Sequence, residues 1–137
     1  MTNPALRARY MSTSVTTASP GQLLVMLYER LVLDLTRAEE ALLAGDRTTG
    51  SEQLMHAQDI VAELRVTLNV DAWEGGPGLA QLYDFLLKEL IRANVRADAS
   101  VVASSRTMVE PLRDAWRQAL ATVQADAAAV AAPIQVG

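Results

Sequence analysis

The 137-residue chain is expected to be all-α, an antiparallel four-helix bundle with a flexible N-terminal arm, on three observations. Half of its residues are hydrophobic but only 4% are aromatic. The apolar content therefore sits mostly in Ala, Leu, Val and Met, a mix that suits helices better than sheets, which draw on β-branched and aromatic residues. Apolar residues recur in alternating steps of three and four along four stretches, the spacing of a helix seam rather than the period of two of a strand. The stretches are divided by short breaks at Gly45, at Gly75 to Gly78 and at Asp98. Four helices of about 20–25 residues, each roughly 30–38 Å long at 1.5 Å per residue, joined by short loops, make an up-down-up-down bundle.

Residues 1–18 are polar and rich in Thr and Ser, with Tyr10, Met11 and Val15 as isolated apolar points. They read as an arm that is ordered only where it docks. Ser19-Pro20-Gly21-Gln22 opens the first helix: Ser19 as N-cap, Pro20 at a position with no amide to lose, and Gln22 completing a capping box. Its seam is Leu24, Tyr28, Leu31, Leu35, Ala38 and Leu42. The second helix runs from about Thr48 to Asn69 on Leu54, Ala57, Val61, Leu64 and Leu68. The third runs from about Pro77 to Ala97 on Leu79, Leu82, Leu86, Leu90 and Ala93. Asp98 caps the fourth, whose seam is Val102, Ser105, Val109, Leu112, Trp116 and Ala119, continuing to Val123. Pro111 lies inside that run, where it removes one backbone bond and predicts a kink or a split. The bundle is thus expected over residues 19–126, with 127–137 a frayed, Ala-rich tail.

Composition and motifs exclude several functions. With no Cys there are no disulfides, thiolate metal sites or cysteine nucleophiles. The net charge is −4 and the 12 basic residues are scattered, so no stripe for a nucleic-acid backbone is present. No apolar run is long enough to span a membrane, and no apolar core follows Arg7 and Arg9 as a signal peptide requires. A cytoplasmic location is expected. His56 is the only histidine, so a di-metal carboxylate site with its two Glu-x-x-His pairs cannot be built and no metal or cofactor is expected. His56 falls about 100° from the seam centre at Ala57, at a flank or exposed. A lone helical His in a bundle suggests a phosphotransfer domain, but Asp59 and Glu63 lie on its side of the helix with no Lys near, and they would repel a phosphoryl group. An ordinary surface histidine is the plainer expectation, and an enzyme is not expected.

The apolar residues left outside the seams are more informative. At about 100° per residue, Met26 and Leu33 fall opposite the first seam. Met55, Ala62 and Val66 fall opposite the second. On the third helix Leu87 and Ile91 flank the core, Phe85 stands alone on the other side, and Gln81, Asp84, Lys88 and Arg92 form a polar stripe between. Aligned apolar rows on several helices point to grooves for another chain, typically an amphipathic helix. Two other coverings are open: the N-terminal arm, or a second copy of the bundle as a homodimer. Met in the rows favours a surface that repacks easily.

Several segments in order resemble the FliS family of flagellar export chaperones: Tyr10 ahead of a Ser/Thr-rich arm, Thr17-Ala18-Ser19-Pro20-Gly21-Gln22-Leu23-Leu24, Met26-Leu27-Tyr28, Ala57 to Leu64, Leu82-Tyr83-Asp84-Phe85, Leu90 to Asn94, and Leu112 to Trp116. The resemblance implies a cytoplasmic bundle that binds the disordered C-terminal segment of flagellin, prevents premature polymerisation and aids delivery to the flagellar type III export apparatus. The export gate and a flagellin co-regulator are the further partners it implies. It singles out Tyr10 as the arm residue that covers part of the binding surface. With the outer rows, the expected partner-binding residues are Tyr10, Met26, Leu33, Met55, Val66, Phe85, Leu87 and Ile91. The Gly/Pro-rich stretch from Trp73 to Gly78 and the position of Pro111 depart from the family's pattern, and the tail after Asp126 lies outside it.

Overall fold

The computed structural model describes residues 18–131. Over that span it has four α-helices and one short 3-10 turn: α1 (Pro20–Leu43), α2 (Arg47–Thr67), the turn (Val70–Ala72), α3 (Gly76–Arg96) and α4 (Ala99–Ala131). Each helix packs beside the next, and α4 returns to α1, closing a four-helix bundle.

Each boundary has a chemical cause. The Ser19 hydroxyl accepts the Gln22 N–H at 3.2 Å, and the Gln22 side chain accepts the Ser19 N–H at 2.6 Å, so the expected capping box is formed. At the end of α1 the chain turns through Gly45, at φ +79°, a conformation that costs glycine nothing. Asp46 then caps α2 by accepting the Thr49 N–H at 3.1 Å, which moves the helix start ahead of the expected Thr48. Between α2 and α3, a Cβ on Gly76 would lie 2.1 Å from the Val70 carbonyl oxygen; only glycine lets the turn close there. At the α3–α4 corner Ala97 takes the left-handed conformation at φ 49°. The Asp98 N–H reaches back to the Ala93 carbonyl at 3.0 Å, a Schellman-type closure. The Asp98 carboxylate accepts the Ser100 N–H at 3.0 Å and the Ser100 hydroxyl at 2.6 Å, capping α4. The Ser100 side chain, with the Ser100 and Val101 amides, holds that carboxyl below the usual range.

The core follows the expected seams with two corrections. On α3 the buried residue is Tyr83, 2% exposed, while the expected Leu82 is only half-buried at the edge. Leu79, Tyr83, Leu86, Leu90 and Ala93 keep the four-three alternation, so Tyr83 fits the period as well as Leu82 did. It is drawn inward by a partner: its hydroxyl and that of Tyr28 are hydrogen-bonded across the centre. On α4 the seam ends at Trp116, because Ala119 and Val123 are exposed. The helix runs through Pro111 without a break and on to Ala131, so it is not split at Pro111 and passes the expected boundary at 126. Pro111 and Thr107, whose carbonyl loses the bond, are both exposed, so water can take its place. At 33 residues α4 is about 50 Å long against roughly 32–36 Å for the others. Leu120, opposite Gly21, is its last residue that is not exposed among those described.

Ion pairs between helices mark their alignment. Arg106 of α4 pairs with Glu39 of α1, and Arg117 Nε meets Glu29 Oε1 at 2.8 Å. No described helix is long and apolar enough to cross a membrane.

Candidate functional site

His56 is not the free surface imidazole expected from its position. Its Nδ1 is bonded to Asp34, a fully buried carboxylate on α1. Asp34 also accepts the Arg30 Nε at 3.0 Å. The other ring nitrogen, Nε2, is shielded from solvent. A phosphoryl acceptor needs one ring nitrogen open to a donor protein, so neither nitrogen of His56 is placed for that chemistry. The three residues instead form a polar clamp between α1 and α2. Among the described residues, no three His, Asp or Glu side chains are placed to hold a metal ion.

Part of the surplus apolar surface lies along the two sides of α3. Arg65 Nε on α2 meets Asp84 Oδ1 on α3 at 3.1 Å, which sets the alignment of these antiparallel helices. Counting away from that pair, Ala62 comes level with Leu87, Gln58 with Ile91 and Met55 with Val95. Met55, Ile91 and Val95 are 56%, 51% and 72% exposed, while Leu87 is half-buried against the core. At successive levels on the outer side of the α2–α3 pair they make a discontinuous apolar strip, with Leu87 and Ile91 nearest the helix–helix contact and Met55 and Val95 further out. A second strip lies between α3 and α4, the pair of neighbouring helices that pack least closely. Leu79 and Trp116 share a cleft at one end of it. From there Leu82 comes level with Leu112, and Phe85 with Met108. Phe85 and Met108 are exposed, and Leu82 and Leu112 form a half-buried floor.

The cleft itself holds about 240 Å³ and is walled by Leu24, Leu64, Leu68, Trp73 and Tyr83 as well as Leu79 and Trp116. Trp73 reaches it from the turn after α2, meeting Trp116 edge to face at 6.3 Å. A Cβ on Gly75 would lie 2.1 Å from the Trp73 ring, so the Gly-rich stretch is what lets this indole fold back. Burial raises the pKa of the Tyr28 and Tyr83 hydroxyls below it.

Of the expected partner-binding residues, the structure thus brings Met55, Leu87 and Ile91 into one strip and places Phe85 in the other. Val66 is exposed on the same outer face of α2 as Met55, three turns on, at the level of the Arg65–Asp84 pair. Met26, half-buried, and Leu33, exposed, lie on the outer face of α1. Since α1 borders α2 and α4, that face is across the bundle from α3. Tyr10 lies outside the described residues. Val95, Met108 and Trp73 were not singled out from the sequence. Val95 continues the four-residue step Leu87, Ile91, and Met108 lies three after Ser105 and four before Leu112, so both had a periodic signal. Trp73, in a turn, had none.

Fold and surface together define a class: a helical bundle displaying apolar side chains in grooves along both sides of one helix, its single histidine held in an interhelical contact. The family model described as "Flagellar protein FliS" matches residues 1–123. The chain belongs to the FliS family of flagellar chaperones. It is 34% identical over 117 residues to the flagellar secretion chaperone FliS of Bacillus subtilis (strain 168), covering 85% of this chain and 87% of that one. It is 31% identical over 111 residues to the FliS of Salmonella typhimurium, covering 79% and 82%. A solved structure titled "Crystal structure of flagellar chaperone from bacteria" superposes with a TM-score of 0.69 at 26% identity, covering 87% of this chain and 99% of that one.

Proposed function

We propose that this protein is an export chaperone that binds the disordered C-terminal segment of flagellin in the cytoplasm, prevents its premature polymerisation and aids its delivery to the flagellar type III export apparatus. The observation that carries this is the pair of apolar strips flanking α3, in a chain whose family consists of flagellar secretion chaperones. A segment that is disordered when free loses conformational freedom on binding, at a cost of a few kcal/mol. Long apolar grooves offset that cost at about 25 cal/mol per Å² of apolar surface removed from water. The ligand places short amphipathic helices in the strips, using Met55, Leu87, Ile91 and Phe85. It continues in extended form past Val66 to the outer face of α1, where Met26 and Leu33 stand. The family resemblance makes Tyr10, which lies outside the described residues, the arm residue that covers part of this surface before the ligand arrives. No catalytic step is assigned. The export gate and a flagellin co-regulator are the further partners.

The test is seeded assembly of flagellin. With the protein added in equal amount, filament growth should stop while the bundle remains folded. Unchanged growth rules the function out. Mass measurement over a concentration series identifies a homodimer, whose strips would be covered by a second copy.

A further inference from the structure

The two strips beside α3 differ in charge. From Phe85, the positions three, seven and eleven residues on are Lys88, Arg92 and Arg96. They lie on one face of α3, and all three are exposed. Glu89 pairs with Arg92 at 2.6 Å, and the Asp98 carboxylate also acts on Arg92. Lys88 and Arg96 have no acidic partner among the described residues. The facing wall of α4 presents Ser104, Met108, Pro111 and Ala115, all exposed and none charged. The α3–α4 groove therefore has an apolar floor and a cationic rim, in a protein whose net charge is −4. Lys88 and Arg92 belong to the polar stripe between the two strips and so also border the α2–α3 strip, but there Asp84, paired with Arg65, adds an acidic group, whereas Arg96 lies on the α4 side alone.

We infer that the α3–α4 groove takes an amphipathic helix with an acidic flank: its apolar face on Phe85, Leu82, Met108 and Leu112, its carboxylates over Lys88 and Arg96. This deepens the proposed function, on which it rests, by naming the chemistry of one of the segments bound. Complementary rim charges select a partner and speed its capture more than they deepen affinity. The preference should accordingly be strong at low salt and fade as salt screens it.

Two synthetic peptides of about 18 residues, long enough to form helix, test this on the full chain by calorimetry. They share one Leu-based apolar face, and one carries Glu flanks, the other Lys. The Glu peptide should bind about tenfold tighter at low salt, with the ratio falling towards one near 0.5 M. The double substitution Lys88→Glu/Arg96→Glu should reverse the preference, and Phe85→Ala should weaken both peptides. Both charge positions are exposed, and the melting curve of each variant checks that the bundle is kept. Equal affinity, a preference for the Lys peptide, a preference that survives the double substitution, or no binding of either peptide overturns the inference. Titrating the flagellin C-terminal segment in parallel separates the two levels. If it binds wild type and the double variant equally, the acidic-helix inference fails and the chaperone function stands. If it binds neither while the Glu peptide binds wild type, the chaperone function fails and the groove assignment stands.

Discussion

Ile91→Asp separates a docking residue from a core residue. Ile91 is 51% exposed, so about half of its side chain is free for a ligand to cover. Full burial of an Ile is worth about 1.5–3 kcal/mol, which leaves roughly 1 kcal/mol or slightly more at the interface. An unpaired carboxylate held under the ligand adds about 1–3 kcal/mol. Together these predict a loss of about 2–4 kcal/mol in binding, on the order of 30- to 1,000-fold in Kd. The half already packed on the bundle contributes about 1 kcal/mol to stability. At this size that lowers Tm by a few degrees at about 3 °C per kcal/mol. Calorimetric titration with the flagellin C-terminal segment and a thermal melt, on the same preparation, read both quantities. Less than a threefold loss of affinity with the fold intact would refute the assignment. A fall in Tm of more than about 10 °C would instead place Ile91 in the core. Leu33→Asp, on the opposite face of the bundle, asks how far the ligand extends: a segment that wraps the bundle loses about 2–4 kcal/mol there too, for roughly 1 kcal/mol of covered surface and the same unpaired carboxylate.

Three predictions concern the fold that presents these strips. Gly76→Ala should destabilise by about 1–3 kcal/mol, because its Cβ meets the Val70 backbone; Gly78→Ala, with open space around it, should stabilise by up to about 1 kcal/mol, and denaturant melts distinguish the two. Ala97→Gly should raise stability by about 0.5–1 kcal/mol, since the left-handed conformation at φ 49° strains every residue but glycine. Alkaline pH should unfold the protein: burial raises the hydroxyl pKa of Tyr28 and Tyr83, so the unfolded chain releases protons first. The stability they confer is complete below about pH 10 and falls above it by up to about 1.4 kcal/mol per pH unit for each tyrosine. The double substitution Tyr28→Phe/Tyr83→Phe should flatten that slope.

What could be read from the sequence was local. The capping box at Ser19, the glycine turn at Gly45 and the cap at Asp98 are each written within a few residues, and the structure has all three. Seam positions were also legible, because burial follows helix period. What was missed depends on alignment between helices. Tyr83 and Leu82 fit the period equally well, and only the hydroxyl of Tyr28, 55 residues away, decides between them. His56 looked exposed on its own helix, yet Asp34 meets it from another. The end of the α4 seam depends on where α1 begins: past Leu120 no described part of α1 lies opposite, so Val123 is exposed despite keeping step. Likewise, the sequence showed apolar rows on single helices. Their union along α3 required alignments between helices, the Arg65–Asp84 pair on one side and the cleft shared by Leu79 and Trp116 on the other.

The most direct test is a calorimetric titration of the folded protein with the C-terminal segment of the flagellin encoded in the same genome, repeated at several temperatures. A 1:1 complex with a large negative heat-capacity change, the mark of apolar surface leaving water as the segment orders, is the result expected. The absence of binding, with the bundle shown to be folded, would contradict it.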